Sequence, residues 1–182
     1  MKKIQLFIAS VFLFSCSDFY RPGQLEKIDE LLFELDQIQD LCDRSGLDTI
    51  PLVLGEVERL EYVIKQNYLD DTLSLDFAKK LDSYQSIRKS LTPLNEIGFA
   101  IGIKINSERT AIKNLRQDVL NCTGDRANYE ENISFETENV NDLRQLIEQC
   151  ISTKEVNVET FNNLHEDLRS YSIKLVQQNK ER

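Results

Sequence analysis

Tryptophan is absent from the 182 residues, and methionine and histidine occur once each, as Met1 and His165; proline occurs three times and glycine six. So few turn-forming residues exclude a turn-rich β-sandwich, and the missing indole removes the usual stacking platform of a carbohydrate site. A single histidine excludes His–His metal ligation, and no partner stands at catalytic spacing from it. A two-carboxylate bundle site needs Glu-x-x-His on paired helices, but position 162 is Asn and no second histidine exists. Cysteine is sparse and unpaired in pattern: Cys16, Cys42, Cys122 and Cys150 form no Cys-x-x-Cys, so thiol-redox and zinc motifs are missing. No cofactor, metal site or catalytic set is expected, and the chain reads as a non-enzyme.

Negative charge is plentiful. With 31 acidic against 22 basic residues the formal charge is −9. Such a surface repels phosphate backbones and anionic headgroups, so nucleic acid is not expected as a partner. The acidic group Glu130, Glu131, Glu136 and Glu138 opens a helix, where it complements the macrodipole; it lacks the compact Asp/Asn loop that calcium needs. Ser86-Ile87-Arg88-Lys89 has the Ser-x-x-Lys spacing of penicillin-binding proteins. The Lys-Thr-Gly element and α/β body that make that spacing catalytic are absent.

The first twenty residues carry the clearest signal. Met1-Lys2-Lys3 precedes an apolar run from Ile4 to Phe14, a charged region and short hydrophobic region of the kind that makes a secretory signal. At about half the length a bilayer-spanning helix needs, it is a poor permanent anchor. Leu13-Phe14-Ser15-Cys16 follows, and these residues resemble the lipobox of bacterial lipoproteins. The resemblance implies diacylglycerol on the Cys16 thiol, cleavage before Cys16, acylation of the new amine, and Leu13 and Ser15 as recognition residues. Phe14 departs from the family's usual small or aliphatic residue. Ser-Cys-Ser-Asp after a Phe-rich run is similar to lipoproteins of the Bacteroidetes. Two or three acyl chains anchor stably, whereas one binds reversibly.

On this reading residues 1–15 are a signal peptide, 16–23 a lipidated tether ending in Pro22-Gly23, and 24–182 a helical domain. Losing residues 1–15 removes Lys2 and Lys3 and no acid, which leaves 20 bases against 31 acids, a formal −11. Membrane contact is then expected through lipid. Ser17, rather than Asp, after the cysteine points to the outer membrane in enteric bacteria, with the domain facing periplasm or surface. Asp48-Thr49-Ile50 and Asp71-Thr72-Leu73 resemble the Asp-Ser/Thr-aliphatic triplet that Bacteroidetes O-glycosylate in exported proteins, which makes Thr49 and Thr72 candidate sugar sites.

Beyond Gly23 apolar residues recur at three- and four-residue steps, the period of an amphipathic helix. Five or six helices are expected, packed as an all-α antiparallel bundle with heptad-like seams. The first runs from Gln24 to Arg44 with Leu25, Ile28, Leu32, Leu35 and Cys42 inward, widened by Leu31 and Ile38, and Ser45-Gly46 closes it. The second starts near Pro51 and carries Val53, Val57, Leu60, Ile64 and Tyr68. Ser74 or Thr72 caps a third, with Phe77, Leu81, Tyr84, Ile87 (or Arg88) and Leu91 inward. Pro93 either starts a new helix or kinks a continuing one. No loop residues surround it, which favours the kink.

Past Pro93 the seam is Leu94, Gly98, Ile101, Ile105, Glu108, Ile112, Leu115, Val119 and Cys122. Gly98 and Gly102 are read there as points of close helix approach. The alternation Phe99 to Ile105 could suit a strand, but nothing else in the chain could pair with it. After Thr123-Gly124-Asp125, a helix from Tyr129 to about Ser152 buries Ile133, Glu136, Val140, Leu143, Ile147 and Cys150. Asn157 then caps a last helix carrying Val158, Phe161, Leu164 or His165, Leu168, Tyr171 and Leu175.

Equal seams on both sides of Pro93 favour two three-helix units stacked lengthwise over one compact bundle. A helix continuous from Ser74 to Asn121 would span about 70 Å. With Cys16 lipidated, at most one disulfide forms among the rest. Cys122 and Cys150 lie too far apart along an antiparallel pair, Cys42 can meet Cys122 only in a compact bundle, and buried thiols are the default. The function expected is a lipid-anchored, non-catalytic envelope protein that binds another protein or has a structural role. The alternatives are a small-ligand-binding periplasmic lipoprotein with a pocket near Gly98 and Gly102, and a tethered inhibitor or immunity factor.

Overall fold

The structure, a computed structural model, describes residues 20–68 and 74–181. Among these the chain is all-α, with four α-helices: α1 Arg21–Arg44, α2 Ile50–Asn67, α3 Leu75–Asn121 and α4 Tyr129–Lys180. Short 3₁₀ turns at Leu47–Thr49 and Arg126–Asn128 precede α2 and α4. The five or six helices expected are therefore too many. Pro93 lies inside α3, and α4 runs unbroken through the break expected at Ser152–Asn157. Asn157 is not a cap: its side-chain amide donates to the Thr153 carbonyl one turn back, at 2.7 Å. A residue with strong capping preference can sit mid-helix when its side chain turns back in this way.

Local chemistry accounts for the other boundaries. Gly46 adopts φ 64°, the left-handed conformation that ends a helix at least cost with glycine. Pro51 follows in the first turn of α2, where no N–H is needed. The Ser74 hydroxyl accepts from the Phe77 N–H at 3.3 Å, capping α3. Cys122, a non-glycine at φ 55°, turns the chain out of α3, and Gly124 follows at φ 76°. Tyr129, 3% exposed, ties this corner by donating its hydroxyl to the Asp118 and Thr123 carbonyls. Within α3, Pro93 has no N–H to donate. One residue before it, the Thr92 hydroxyl donates to the Arg88 carbonyl at 2.7 Å.

The helices form three rods. Asp29 and Asp36 of α1 pair with Arg116 and Arg109 of α3, so these two helices are antiparallel. Gln24 meets Glu130, the Ser45 carbonyl meets Lys154, and Asn67 meets Asn179, so α1 and then α2 run parallel to α4 in one continuing direction. α1 and α2 thus make one rod interrupted at Ser45–Thr49, while α3 and α4 each pass the whole length. α3 has 47 residues. An α-helix of that size is about 70 Å long.

The core is one cluster with two dense ends. One end belongs to α1, with Ile28, Leu35, Ile105, Leu143 and Ile147 at 0% exposure; the other belongs to α2, with Ile50, Val57, Tyr84, Ile87 and Leu91 at 0%. Between Leu91 and Ile101 in α3, and between Cys150 and Leu168 in α4, no apolar residue is fully buried. This is the waist of the rod, level with the break between α1 and α2. The α1 stripe centres on Gln24, Ile28, Leu31, Leu35 and Ile38, with Leu25 and Leu32 at its margin; α2 centres on Leu54 rather than Val53. A Cβ built on Gly98 or Gly102 meets nothing within 4 Å, so neither glycine marks a close helix approach.

Candidate functional site

The side chains with most chemical capacity gather in the α2 end. Tyr84 of α3 is fully buried, and its hydroxyl lies 2.8 Å from Nδ1 of His165 on α4. Phe161 stacks on the imidazole with ring centroids 4.5 Å apart, one helical turn before it on α4. Burial pushes the Tyr84 phenol well above its ordinary value, with the Glu56 charge adding to the effect, so it stays neutral. The phenol is bonded to the chain's single imidazole, and Phe161 stacks on both rings. Their hydrogen bond is a polar tie between α3 and α4. Further out, Tyr68 stacks on Phe77, and Phe77 packs on Tyr171 at 4.2 Å, joining all three rods.

Beside this cluster, α2 and α3 diverge into an open cleft of about 630 Å³. Aromatic and aliphatic walls (Tyr62, Tyr68, Phe77, Leu81) carry the polar groups Glu58, Glu61, Lys65 and Arg88. Arg88 holds one Glu61 oxygen at 3.1 Å. The other, Glu61 Oε1, is buried with no hydrogen-bond partner among the described residues. The cleft lining carries the Glu58 carboxylate and two cations, Lys65 and Arg88, on an apolar floor, with the unpartnered Glu61 oxygen beneath its surface. A smaller cleft of about 400 Å³ lies at the waist, lined by Cys42, Asp43, Leu47, Pro51, Gly98 and Phe99.

The residues singled out from sequence are scattered. Leu13, Ser15, Cys16 and Thr72 lie outside the described residues. Thr49 is exposed in its 3₁₀ turn and donates to the Gly46 carbonyl at 2.7 Å; the next residue of its triplet, Ile50, is fully buried, so the whole triplet is not at the surface. The waist cleft includes Gly98 but not Gly102. Ser86 is exposed and donates its hydroxyl to the Ser83 carbonyl, while Ile87 beside it is buried. Glu130 is held below the ordinary carboxylate range by hydrogen bonds from Lys27 and Gln24. Burial raises Glu136; Asn139 opposes that, and Glu108 across the α3–α4 seam adds to it. No group of three or more metal-ligating side chains occurs among the described residues. Cys42 and Cys122, which only a compact bundle would join, fall near the waist and at the far pole of α1 respectively.

Sequence alone does not reveal the Tyr84–His165 bond, although both positions stand on inward stripes. Pairing them needs the antiparallel register of α3 and α4, which no local pattern encodes. No family model, curated protein or solved structure matches the chain.

Proposed function

We propose that the chain is a lipid-anchored helical rod of the bacterial cell envelope, without catalytic activity, that holds a protein-binding surface away from a membrane. The observation carrying this is where the rod begins. The first turn of α1 lies at one pole, with Arg21 donating to the Leu120 carbonyl and Lys27 paired with Glu130 at 2.9 Å. A lipid on Cys16 sits only five positions before Arg21 and would fix that pole to the bilayer. The rod then stands outward along α1 and α2. The end bearing Asn67, Ser74 and Asn179 is the remote one, on the order of 70 Å away. No helix among the described residues is long and apolar enough to cross a membrane, so attachment on this reading rests on the acyl chains.

The test is acyl labelling. Cells expressing the full chain are fed a clickable fatty acid, and membranes are separated from soluble material. Label on the protein in the membrane fraction, lost in Cys16→Ala together with membrane retention, is the expected outcome. Unlabelled protein in the soluble fraction would sink the reading.

One observation favours a second reading, a small-ligand-binding lipoprotein: the α2–α3 cleft with its unpartnered Glu61 oxygen. A ligand bearing an amine beside an apolar body would suit it. Native mass spectrometry of protein purified from its own envelope decides between the two. A stoichiometric small molecule lost in Glu61→Gln supports the ligand reading, and protein free of small molecules supports the scaffold.

A further inference from the structure

Cys42 and Cys150 belong to different helices and have no fixed spacing that a sequence pattern would reveal. The parallel register of the first rod against α4 brings them to one level. Facing residues are 106 positions apart at Gln24–Glu130, 109 at Ser45–Lys154 and 112 at Asn67–Asn179. Interpolated between the first two pairs, Cys42 faces the boundary between Cys150 and Ile151 on α4. Both are core positions. Cys42 follows Ile28 and Leu35 at seven-residue steps, and Cys150 follows Leu143; those three are fully buried. Cys150 is 4% exposed and Cys42 is half-buried against the same cluster. Charge on Cys150 adds the smallest share to the upward push on the Cys42 thiol, after burial and Asp43. Near this level α3 supplies Gly98, which lines the same cleft as Cys42 and leaves open space where a side chain would stand.

We propose that Cys42 and Cys150 form a reversible disulfide at the edge of the waist, joining the end of α1 to the middle of α4. The third thiol, Cys122, stands at the α3–α4 corner and stays out of it. The waist cleft admits a small-molecule disulfide to Cys42. The Cys42 thiolate attacks one of its sulfurs, the small disulfide bond breaks, and one small thiol leaves with the proton that Cys42 gave up. The Cys150 thiolate then attacks the Cys42 sulfur of the mixed disulfide, and the second small thiol leaves with the proton from Cys150. Two protein thiols are oxidised and one disulfide is reduced to two thiols. Burial holds both cysteines above the ordinary thiol range, so the exchange quickens with rising pH.

The bond would close a loop of roughly 100 residues, and loops of that length lose much unfolded-state entropy when cross-linked. The proposal does not rest on lipid attachment, because oxidation of the purified chain tests it alone.

The experiment equilibrates the full chain carrying Cys16→Ser with oxidised and reduced glutathione, then maps peptides without reduction. The expected result is one cross-linked peptide pair bearing Cys42 and Cys150, one titratable thiol at Cys122, and a midpoint of thermal unfolding raised by roughly 10 °C. Reductant reverses the rise. Cys122→Ser leaves it unchanged, and Cys150→Ser leaves glutathione on Cys42 without the gain. Three titratable thiols after equilibration, a cross-link at Cys122, or the same gain in Cys150→Ser would each overturn the proposal.

Discussion

Around α1 the core is almost wholly aliphatic, with Ile28, Leu35, Ile105, Ile112, Leu143 and Ile147 interleaved at helical spacing and fully buried. Around α2 the same two long helices turn aromatic, and Tyr84, Phe161, His165, Phe77 and Tyr171 replace branched aliphatics. Charge is arranged differently too. The α1 end ties α1 to α3 through Asp29–Arg116 and Asp36–Arg109 on the surface, whereas the α2 end buries one Glu61 oxygen beside Arg88. Aliphatic layers of this kind do nothing but pack. The α2 end holds the polar tie and a cleft of about 630 Å³, while the α1 end carries an open groove of about 610 Å³ along Leu25, Asp29 and Phe33.

The largest effect that could break this comparison comes from the α1 end. Leu143→Ala opens a cavity in the aliphatic core and should lower stability by about 2–5 kcal/mol. Because α3 and α4 run through both ends, thermal unfolding should remain one transition at a lower midpoint. Two separate transitions by circular dichroism would mean the ends fold independently.

Next comes the joint. Gly46→Ala places a Cβ at φ 64° and 2.9 Å from the Lys154 ammonium, which donates to the Ser45 carbonyl at 2.8 Å. The lysine can yield, so the backbone strain dominates, and a loss of about 1–2 kcal/mol is expected. Urea titration measures it. In the α2 end, Tyr84→Phe removes the hydroxyl bonded to His165 and should cost about 1 kcal/mol. Hydrogen exchange should speed at the Tyr84 and His165 levels of α3 and α4 and stay unchanged around Leu143.

The smallest effect has the opposite sign. Glu136 has a folded-state pKa raised from an ordinary value of 4.5. Its stabilising contribution is therefore present below the unfolded value and lost as pH rises through the folded one. It faces Glu108, while the nearby Arg109 is engaged by Asp36. Glu136→Gln should therefore raise the unfolding midpoint at neutral pH and flatten its fall between acid and neutral conditions. A lowered midpoint at neutral pH would show that the Asn139 hydrogen bond outweighs burial and Glu108.

Much of the fold is legible in the residues because its signals are local. The seams follow from three- and four-residue steps. Gly46, Ser74 and Gly124 mark boundaries because left-handed backbone and a hydroxyl cap are properties of single residues. What stays hidden depends on how rods lie against one another. Asn157 reads as a cap in sequence, and only its bond to Thr153 within a continuous helix removes that reading. Lys154 carries no visible role in sequence, and it gains one when the Ser45 carbonyl stands opposite it. The Tyr84–His165 bond and the shared level of Cys42 and Cys150 are consequences of register, which a stripe of apolar residues leaves free to slide by whole turns.

The central claim, one continuous rod with two unlike ends, is tested most directly by small-angle scattering of the reduced protein in solution. A compact fold of this length has a radius of gyration of about 15 Å. A rod about 70 Å long has one of roughly 22 Å, with a maximum dimension to match. The larger value is the predicted result, and the value of the compact fold would contradict the account.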